Sequence, residues 1–133
     1  MPLPTKLLEE RSKFLKKIQR LDFNDCSVKA VAIACNVSYE KAHKALELSG
    51  RKLNKGAYVY QILGAITRLG YTYEDLSSWK GKTTKTLSLP RNNRYLVITS
   101  GHALAVQFGL VKDYSDSRKF RVQRVLLIEK RGK

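Results

Sequence analysis

The stretch Phe23–Cys35, FNDCSVKAVAIAC, places a cysteine directly after an Asn-Asp pair and at the head of an apolar run. From Cys26 onward the run carries almost no polar side chain, which is typical of a helix that is buried on nearly every side. The short polar break RLDFND precedes it and marks where this helix begins. The sequence therefore predicts that Cys26 lies in the first turn of a buried helix.

The position of a cysteine along a helix decides its chemistry. At the start, the helix dipole and the unpaired backbone N–H groups favour the thiolate, which is the nucleophilic form. The same N–H groups can stabilise an oxyanion on a bound carbonyl. Cys35 lies near the other end of this predicted helix, where the dipole opposes a thiolate. Cys26 is therefore the candidate nucleophile, and Cys35 is interpreted as a packing residue.

Three further helices are predicted around this one. Residues 5–20 form a basic amphipathic stripe, suited either to packing on its own domain or to an anionic membrane surface. NVSYEKAHKALELSG predicts a helix with Ser38 as N-cap and Gly50 just after its end, and AYVYQILGAITRLGY predicts another that ends at Gly70. The polar connection that follows contains a possible short strand at 84–89.

The periodicity changes in the last third of the chain. The segments RYLVITS, HALAVQF, GLVKDY and FRVQRVLLIEK are short, rich in β-branched and aromatic residues, and separated by turn-like breaks. Helices followed by antiparallel strands predict an α+β fold rather than a doubly wound parallel sheet. We expect one domain over 1–133, with a basic N-terminal helix in 1–20, a helical part in 21–70 and a sheet part in 84–129.

A histidine at the start of a predicted strand is the candidate general base. In SGHALAV, His102 follows a turn, so its ring can project from the edge of the sheet toward a helix-borne thiol. A third group should orient the ring, and one hairpin later the chain offers Asp113, with Asp116 as the alternative. The other histidine, His43, falls between lysines on an amphipathic helix and is interpreted as a surface or boundary residue.

The chain carries 26 Lys and Arg against 11 Asp and Glu, a formal net charge of +15. Such an excess indicates either solubility in an anion-rich habitat or a polyanionic partner, nucleic acid or an acidic protein. Tyr58, Tyr60 and Trp79 are stacking candidates for nucleic acid, with core packing as the alternative. The candidate polyanion contacts are Lys16, Lys17, Arg51, Lys52, Lys55, Arg118 and Lys119.

Other classes of protein are not indicated. The two cysteines do not suggest a disulfide framework, and with the two histidines they show no zinc spacing, so neither a metal nor a cofactor is expected. No apolar run is long enough to cross a bilayer, and the mixed N-terminus is not a secretory signal. A reduced, cytoplasmic setting is the expectation, and nothing in the sequence indicates the oligomeric state.

NDCSVKAVAIACNVSYEKAHKAL resembles the segment that opens papain-like cysteine peptidase domains of the compact bacterial and phage type, similar to those that process bacteriocin leaders. GHALAV and GLVKDY resemble the Gly-His strand and the acid-bearing strand of the same superfamily. The resemblance covers roughly residues 20–128. It implies a papain-like fold, a peptide or protein substrate and a site formed by Cys26, His102 and Asp113. It also implies a phage-like origin, which would place the protein in the host cytoplasm or the virion.

The chain departs from that pattern at two positions. Where papain-like enzymes carry an oxyanion-hole glutamine upstream of the nucleophile, this chain has Arg20, with Gln19 one residue further back. Asn24 is therefore the candidate amide for the oxyanion hole. Ser27 replaces the glycine that often follows the nucleophile. The alternative function is a catalytically weak or inactive papain-like accessory protein that binds nucleic acid or an acidic host protein.

Overall fold

Helices occupy the first half of the chain and strands the second in the computed structural model, which describes residues 5–22, 24–76, 93–99, 102–107, 110–112 and 122–130. Its helices are α1 Thr5–Ile18, α2 Cys26–Ala34, α3 Tyr39–Leu48 and α4 Val59–Arg68. Its strands are β1 Tyr71–Asp75, β2 Arg94–Thr99, β3 His102–Gln107, β4 Leu110–Lys112 and β5 Val122–Lys130. The predicted α+β class is confirmed.

The local signals that predict the helices are present as expected. Every residue of α2 after Cys26 is buried, in keeping with its apolar sequence. At the start of α3, the Ser38 hydroxyl accepts a hydrogen bond from the N–H of Lys41 at 3.2 Å. Gly50, just beyond α3, has a φ of 107°, a conformation that a glycine adopts without steric cost.

The apolar stripe of α1 is used inside the domain. Leu7 and Leu15 are buried, and the Phe14 ring lies 5.8 Å from that of Tyr39 on α3. Of the two uses predicted for this helix, packing on its own domain is the one observed. Within the described ranges, no helix is both long and apolar enough to span a membrane.

The strands form an antiparallel sheet in the order β1-β5-β2-β3-β4. Its first strand was not predicted, because Tyr71–Asp75 lies in a segment interpreted as a polar connection. The strand is at the edge and largely exposed, so its polar side chains face water while its backbone pairs with β5. The sheet therefore starts at residue 71 rather than 84, and the strand predicted at 84–89 lies outside the described residues.

The central strands are buried on both faces. Leu96, Ile98 and Ala105 pack with the helices, whereas Val97 and Leu104 belong to a second apolar cluster on the opposite face. α2 lies along β3. The β2–β3 hairpin, where Thr99 pairs with His102, is thereby brought to the beginning of α2.

Candidate active site at the start of helix α2

Cys26 is the first residue of α2, as predicted. The first hydrogen bond of the helical pattern runs from the N–H of Lys29 to the carbonyl of Asp25, the N-cap residue, at 3.1 Å. The preceding N–H groups have no acceptor within the helix, and the Asp25 side chain makes no cap hydrogen bond to them. The start of α2 therefore presents backbone donors and the positive end of a dipole beside a half-buried thiol.

His102 is the first residue of β3 and is half-buried. Its position is held by the hairpin, because it pairs with Thr99 and its carbonyl accepts a hydrogen bond from the Thr99 hydroxyl at 3.1 Å. Thr99 itself is buried. The sheet thus presents the imidazole from a fixed strand end rather than from a long loop.

The Cys26 sulfur interacts with two groups of β3. Burial alone would raise the pKa of the Cys26 thiol, but hydrogen bonds from the His102 ring and the Ala103 backbone, with the charge of His102, lower it overall. The neighbouring Asp25 carboxylate acts in the opposite direction and does not reverse the result. The thiol and imidazole predicted to meet therefore lie close enough to interact.

A cleft of about 260 Å³ opens at this pair. Its lining includes Cys26, His102, Tyr58 and Gln123. Gln123 lies near the start of β5 and has an exposed side chain with an amide that can donate hydrogen bonds. The sequence pattern did not indicate Gln123, because a polar residue on a strand ordinarily faces solvent and no spacing in the sequence relates it to Cys26.

The third member of the predicted triad lies outside the described residues, as does its alternative. Asp113 follows β4 directly in the sequence, and the last residue of β4, Lys112, pairs with Ala105 on β3. The predicted pairing of these two strands is therefore present. The assignment of Asp113 or Asp116 stays a prediction.

Asn24 occupies a different place from the one predicted. Its side-chain amide donates a hydrogen bond to the Asn54 carbonyl at 2.7 Å, and it is exposed. It is absent from the described lining of the cleft. Because this amide connects two loops, Asn24 is better described as a support for the segment that precedes Cys26 than as an oxyanion donor.

A buried ion pair corrects the interpretation of two other residues. Arg51, predicted as a polyanion contact, is buried and donates to both carboxylate oxygens of Asp22, at 2.7 and 2.9 Å. His43, interpreted as a surface or boundary residue, is also buried, with Nε2 3.0 Å from Asp22. Burial would raise the pKa of Asp22, but its hydrogen bonds from His43 and Arg51 hold the pKa well below the ordinary range. Arg51 is therefore unavailable to a phosphate.

The second buried carboxylate adjoins the candidate nucleophile. Asp25 accepts hydrogen bonds from the Arg11 Nε at 2.6 Å and from the Tyr39 hydroxyl at 2.7 Å, and pairs with the Lys29 ammonium at 3.2 Å. Arg11 also donates to the Asp22 carbonyl at 2.9 Å. Asp22 and Asp25 are thus held by side chains of α1, α2 and α3, which fixes the path of the chain into Cys26.

The remaining basic candidates divide by location. Lys16, Lys17, Lys52 and Lys55 are exposed, as a polyanion contact requires, and Lys17 pairs with Glu40 at 3.4 Å. Arg118 and Lys119 lie outside the described residues, and so does Trp79. Tyr58 and Tyr60, for which packing was the alternative, are both exposed.

Cys35 is fully buried, and burial raises its pKa to about 12. It packs in the part of the core that lies between the helices and the sheet, in agreement with its interpretation as a packing residue.

No protein-family model, curated protein or solved structure matches the chain. In the part of the chain that the structure describes, no group of three His, Cys, Asp or Glu side chains is placed to hold a metal ion.

Proposed function

We propose that the chain is a papain-like cysteine peptidase, or a related thiol acyl-transfer hydrolase, that uses Cys26 and His102. The observation that supports this most strongly is that Cys26 and His102 line the same cleft and that His102 lowers the pKa of the Cys26 thiol. A thiol with a lowered pKa, a base within reach and space for a substrate are the elements that thiol acyl transfer requires.

In the proposed reaction the Cys26 thiolate adds to a substrate carbonyl carbon while His102 is protonated. The tetrahedral intermediate collapses when His102 gives its proton to the leaving amine, which departs and leaves a thioester on Cys26. A water molecule then attacks the thioester and transfers a proton to His102. Release of the carboxylic acid restores the thiolate and the protonated ring. Asp113, or Asp116, would orient the imidazole.

The oxyanion that forms on the carbonyl needs hydrogen-bond donors in the cleft. The backbone N–H groups at the start of α2 are suited to this, because they have no acceptor within the helix. We assign Gln123 as the side-chain donor in place of Asn24, since Gln123 lines the cleft and the Asn24 amide bonds to Asn54. The Gln123 amide on β5 would then do the work of the oxyanion-hole glutamine that papain-like enzymes carry upstream of the nucleophile and that this sequence lacks.

The resemblance to papain-like peptidases adds support from chain order. A cysteine-bearing helix precedes an antiparallel sheet that carries the histidine, and the strand that follows leads into Asp113. The sequence resemblance and the local geometry select the same two residues, Cys26 and His102. A basic surface would favour acidic peptide or protein substrates.

The test is hydrolysis of an internally quenched peptide library by the wild-type chain and by two cysteine variants. We expect Cys26→Ala to abolish turnover with the fold retained in circular dichroism, and Cys35→Ala to keep it, because the Cys35 thiol is sealed in the core. Unchanged turnover in Cys26→Ala would end the proposal. So would a wild-type chain that cleaves no library member and forms no adduct with a peptidyl epoxysuccinate by intact mass.

A further inference from the structure

A basic turn lies beside the cleft. Lys52 and Lys55 are both exposed, and the N–H of Lys55 bonds to the Lys52 carbonyl at 3.1 Å, so one tight turn carries both ammonium groups. Lysines on a short, hydrogen-bonded turn present two positive charges at a restricted spacing. The turn is therefore a ready site for an anionic group.

An exposed aromatic pair lies next in the chain. The rings of Tyr58 and Tyr60 stack with centroids 5.8 Å apart and planes 8° from parallel, yet the residues are 69% and 66% exposed. Tyr58 precedes α4 and Tyr60 is in its first turn, so helix packing does not use either ring. Paired aromatic rings in water offer a rigid apolar surface, which is typical of a contact site.

These residues line a second cleft of about 650 Å³, which adjoins the first. The second cleft includes Lys52, Lys55 and Tyr60, and the two clefts share Gly56, Ala57 and Tyr58. A chain bound with its carbonyl at Cys26 would therefore have a path past Tyr58 toward the lysines. We call this second cleft the basic groove.

The basic groove is tied to the segment that precedes the nucleophile. Between its lysines, Asn54 donates its N–H to the buried Asp22 carboxylate at 3.0 Å and accepts the Asn24 amide on its carbonyl at 2.7 Å. Asn54 has a φ of 64°, which asparagine tolerates better than most residues. The turn is thus held at a set position relative to Cys26.

We infer that the basic groove is the specificity subsite of this enzyme and binds acidic side chains of a peptide substrate, next to the bond that Cys26 attacks. The inference rests on the proposed function. Charge complementarity supports it, because Lys52 and Lys55 both line the basic groove and are exposed. A peptide is favoured over nucleic acid because the basic groove adjoins the cleft where a carbonyl must reach the sulfur.

The experiment compares two irreversible peptidyl acyloxymethyl ketones that share one electrophile and carry either two Glu or two Lys residues. The second-order rate of Cys26 alkylation is measured by intact mass, with iodoacetamide as a small reagent that needs no groove. We expect the Glu reagent to react about tenfold faster than the Lys reagent, which corresponds to two partly screened ion pairs. The preference should shrink as salt is raised.

Two variants examine the basic groove itself. Lys52→Glu/Lys55→Glu should reverse the preference, while Lys13→Glu/Lys41→Glu, an equal charge change at exposed sites on α1 and α3, should keep it. Gly56→Leu should slow both peptides more than it slows iodoacetamide, because Gly56 lines both clefts and the small reagent needs less space. Apart from the neighbours of Gly56 in the chain, no described residue has an atom within 4 Å of a Cβ placed there, so a larger side chain starts in open space.

The outcomes separate this inference from the proposed function. Fast reaction with both peptides at equal rates would overturn the acidic subsite and leave the peptidase intact. No reaction with either peptide would overturn the peptidase, and the subsite with it. Equal peptide rates, together with an oligothymidylate whose binding is lost in Lys52→Glu/Lys55→Glu, would assign the basic groove to nucleic acid instead.

Discussion

The two ends of helix α2 carry the same type of side chain in opposite environments. At the start, Cys26 is half-buried at a cleft, and interactions with His102 and Ala103 lower its pKa. Just after the end, Cys35 is fully buried, and burial raises its pKa to about 12. A thiol with a lowered pKa and a thiol enclosed in the core thus flank the same helix, and the difference lies in the groups around each sulfur.

The two ends also differ in what fixes them. The chain enters α2 past Asp22 and Asp25, two buried carboxylates held by positively charged side chains and Tyr39. It leaves α2 through backbone hydrogen bonds and apolar packing, with Val37 N–H bonded to the Ala32 carbonyl at 3.0 Å. Directional charged contacts define the position of a loop more closely than apolar contacts, and they occur at the end where the proposed reaction needs a defined geometry.

The largest expected contrast is in alkylation of the two thiols at pH 7. A thiol with a pKa of about 12 is ionised to only about one part in 10⁵, while even an unperturbed thiol is a few per cent thiolate. We therefore expect iodoacetamide to modify Cys26 more than about a thousandfold faster than Cys35. Peptide mapping over a time course gives both rates from one sample.

The pH dependence of that reaction adds a second measurement. Because the pKa of Cys26 is lowered, the midpoint of its alkylation profile should fall below the ordinary thiol value of about 8.5. His102→Ala removes a hydrogen bond and a charge that favour the thiolate, so the midpoint should move upward. Comparable rates at Cys26 and Cys35, or a midpoint unaffected by His102→Ala, would contradict the contrast between the two ends.

The next effect is on stability. Arg51→Met removes one partner of a buried ion pair and leaves Asp22 less compensated, so the free energy of unfolding should fall by about 3–5 kcal/mol. Cys35→Ala, at the apolar end, should cost only about 1 kcal/mol. Lys17→Met breaks an exposed pair and serves as the control, with a change within about 0.5 kcal/mol. Urea unfolding measures all three.

Low pH should destabilise the start of α2, where Asp22 is buried. The pKa of Asp22 is lower in the folded protein than in the unfolded chain. The stabilisation that Asp22 contributes is therefore complete above the unfolded pKa of about 4, and it is lost as the pH falls from there toward the folded pKa. We expect stability to decline below about pH 4, and the decline to be smaller in Arg51→Met. An Arg51→Met variant as stable as the Lys17→Met control would show that the buried pair does not hold this end.

The smallest effect is expected at Ser27. Its hydroxyl is buried beside the cleft and has no hydrogen-bond partner among the described residues. Ser27→Ala removes an unpaired polar group and improves helix propensity, so the free energy of unfolding should rise by up to about 1 kcal/mol. The exposed Ser12→Ala on α1 controls for helix propensity alone. A loss of stability in Ser27→Ala would mean that the hydroxyl contributes to this end of α2.

Helix and strand starts in the sequence predicted the positions of Cys26 and His102, but not the buried ion pair or the glutamine near them. Cys26 and His102 were predicted because each depends on position within one element, a helix start and a strand start. The assignments of His43 and Arg51 were wrong for two reasons. Their neighbours in the sequence are polar, and their partner, Asp22, lies more than twenty residues away along the chain. Gln123 escaped notice because its relation to Cys26 exists only after β5 has paired with β2.

The amino-acid sequence by itself determined the order of helices and strands, the buried character of α2 and the choice of Cys26 over Cys35, because periodicity, caps and the helix dipole act over a few residues. Only the tertiary structure decided which cations are buried, which tyrosines face water and which groups bond to the sulfur. Those properties depend on contacts between distant segments, since burial and electrostatic partnership arise when elements pack and cannot be read from neighbours along the chain.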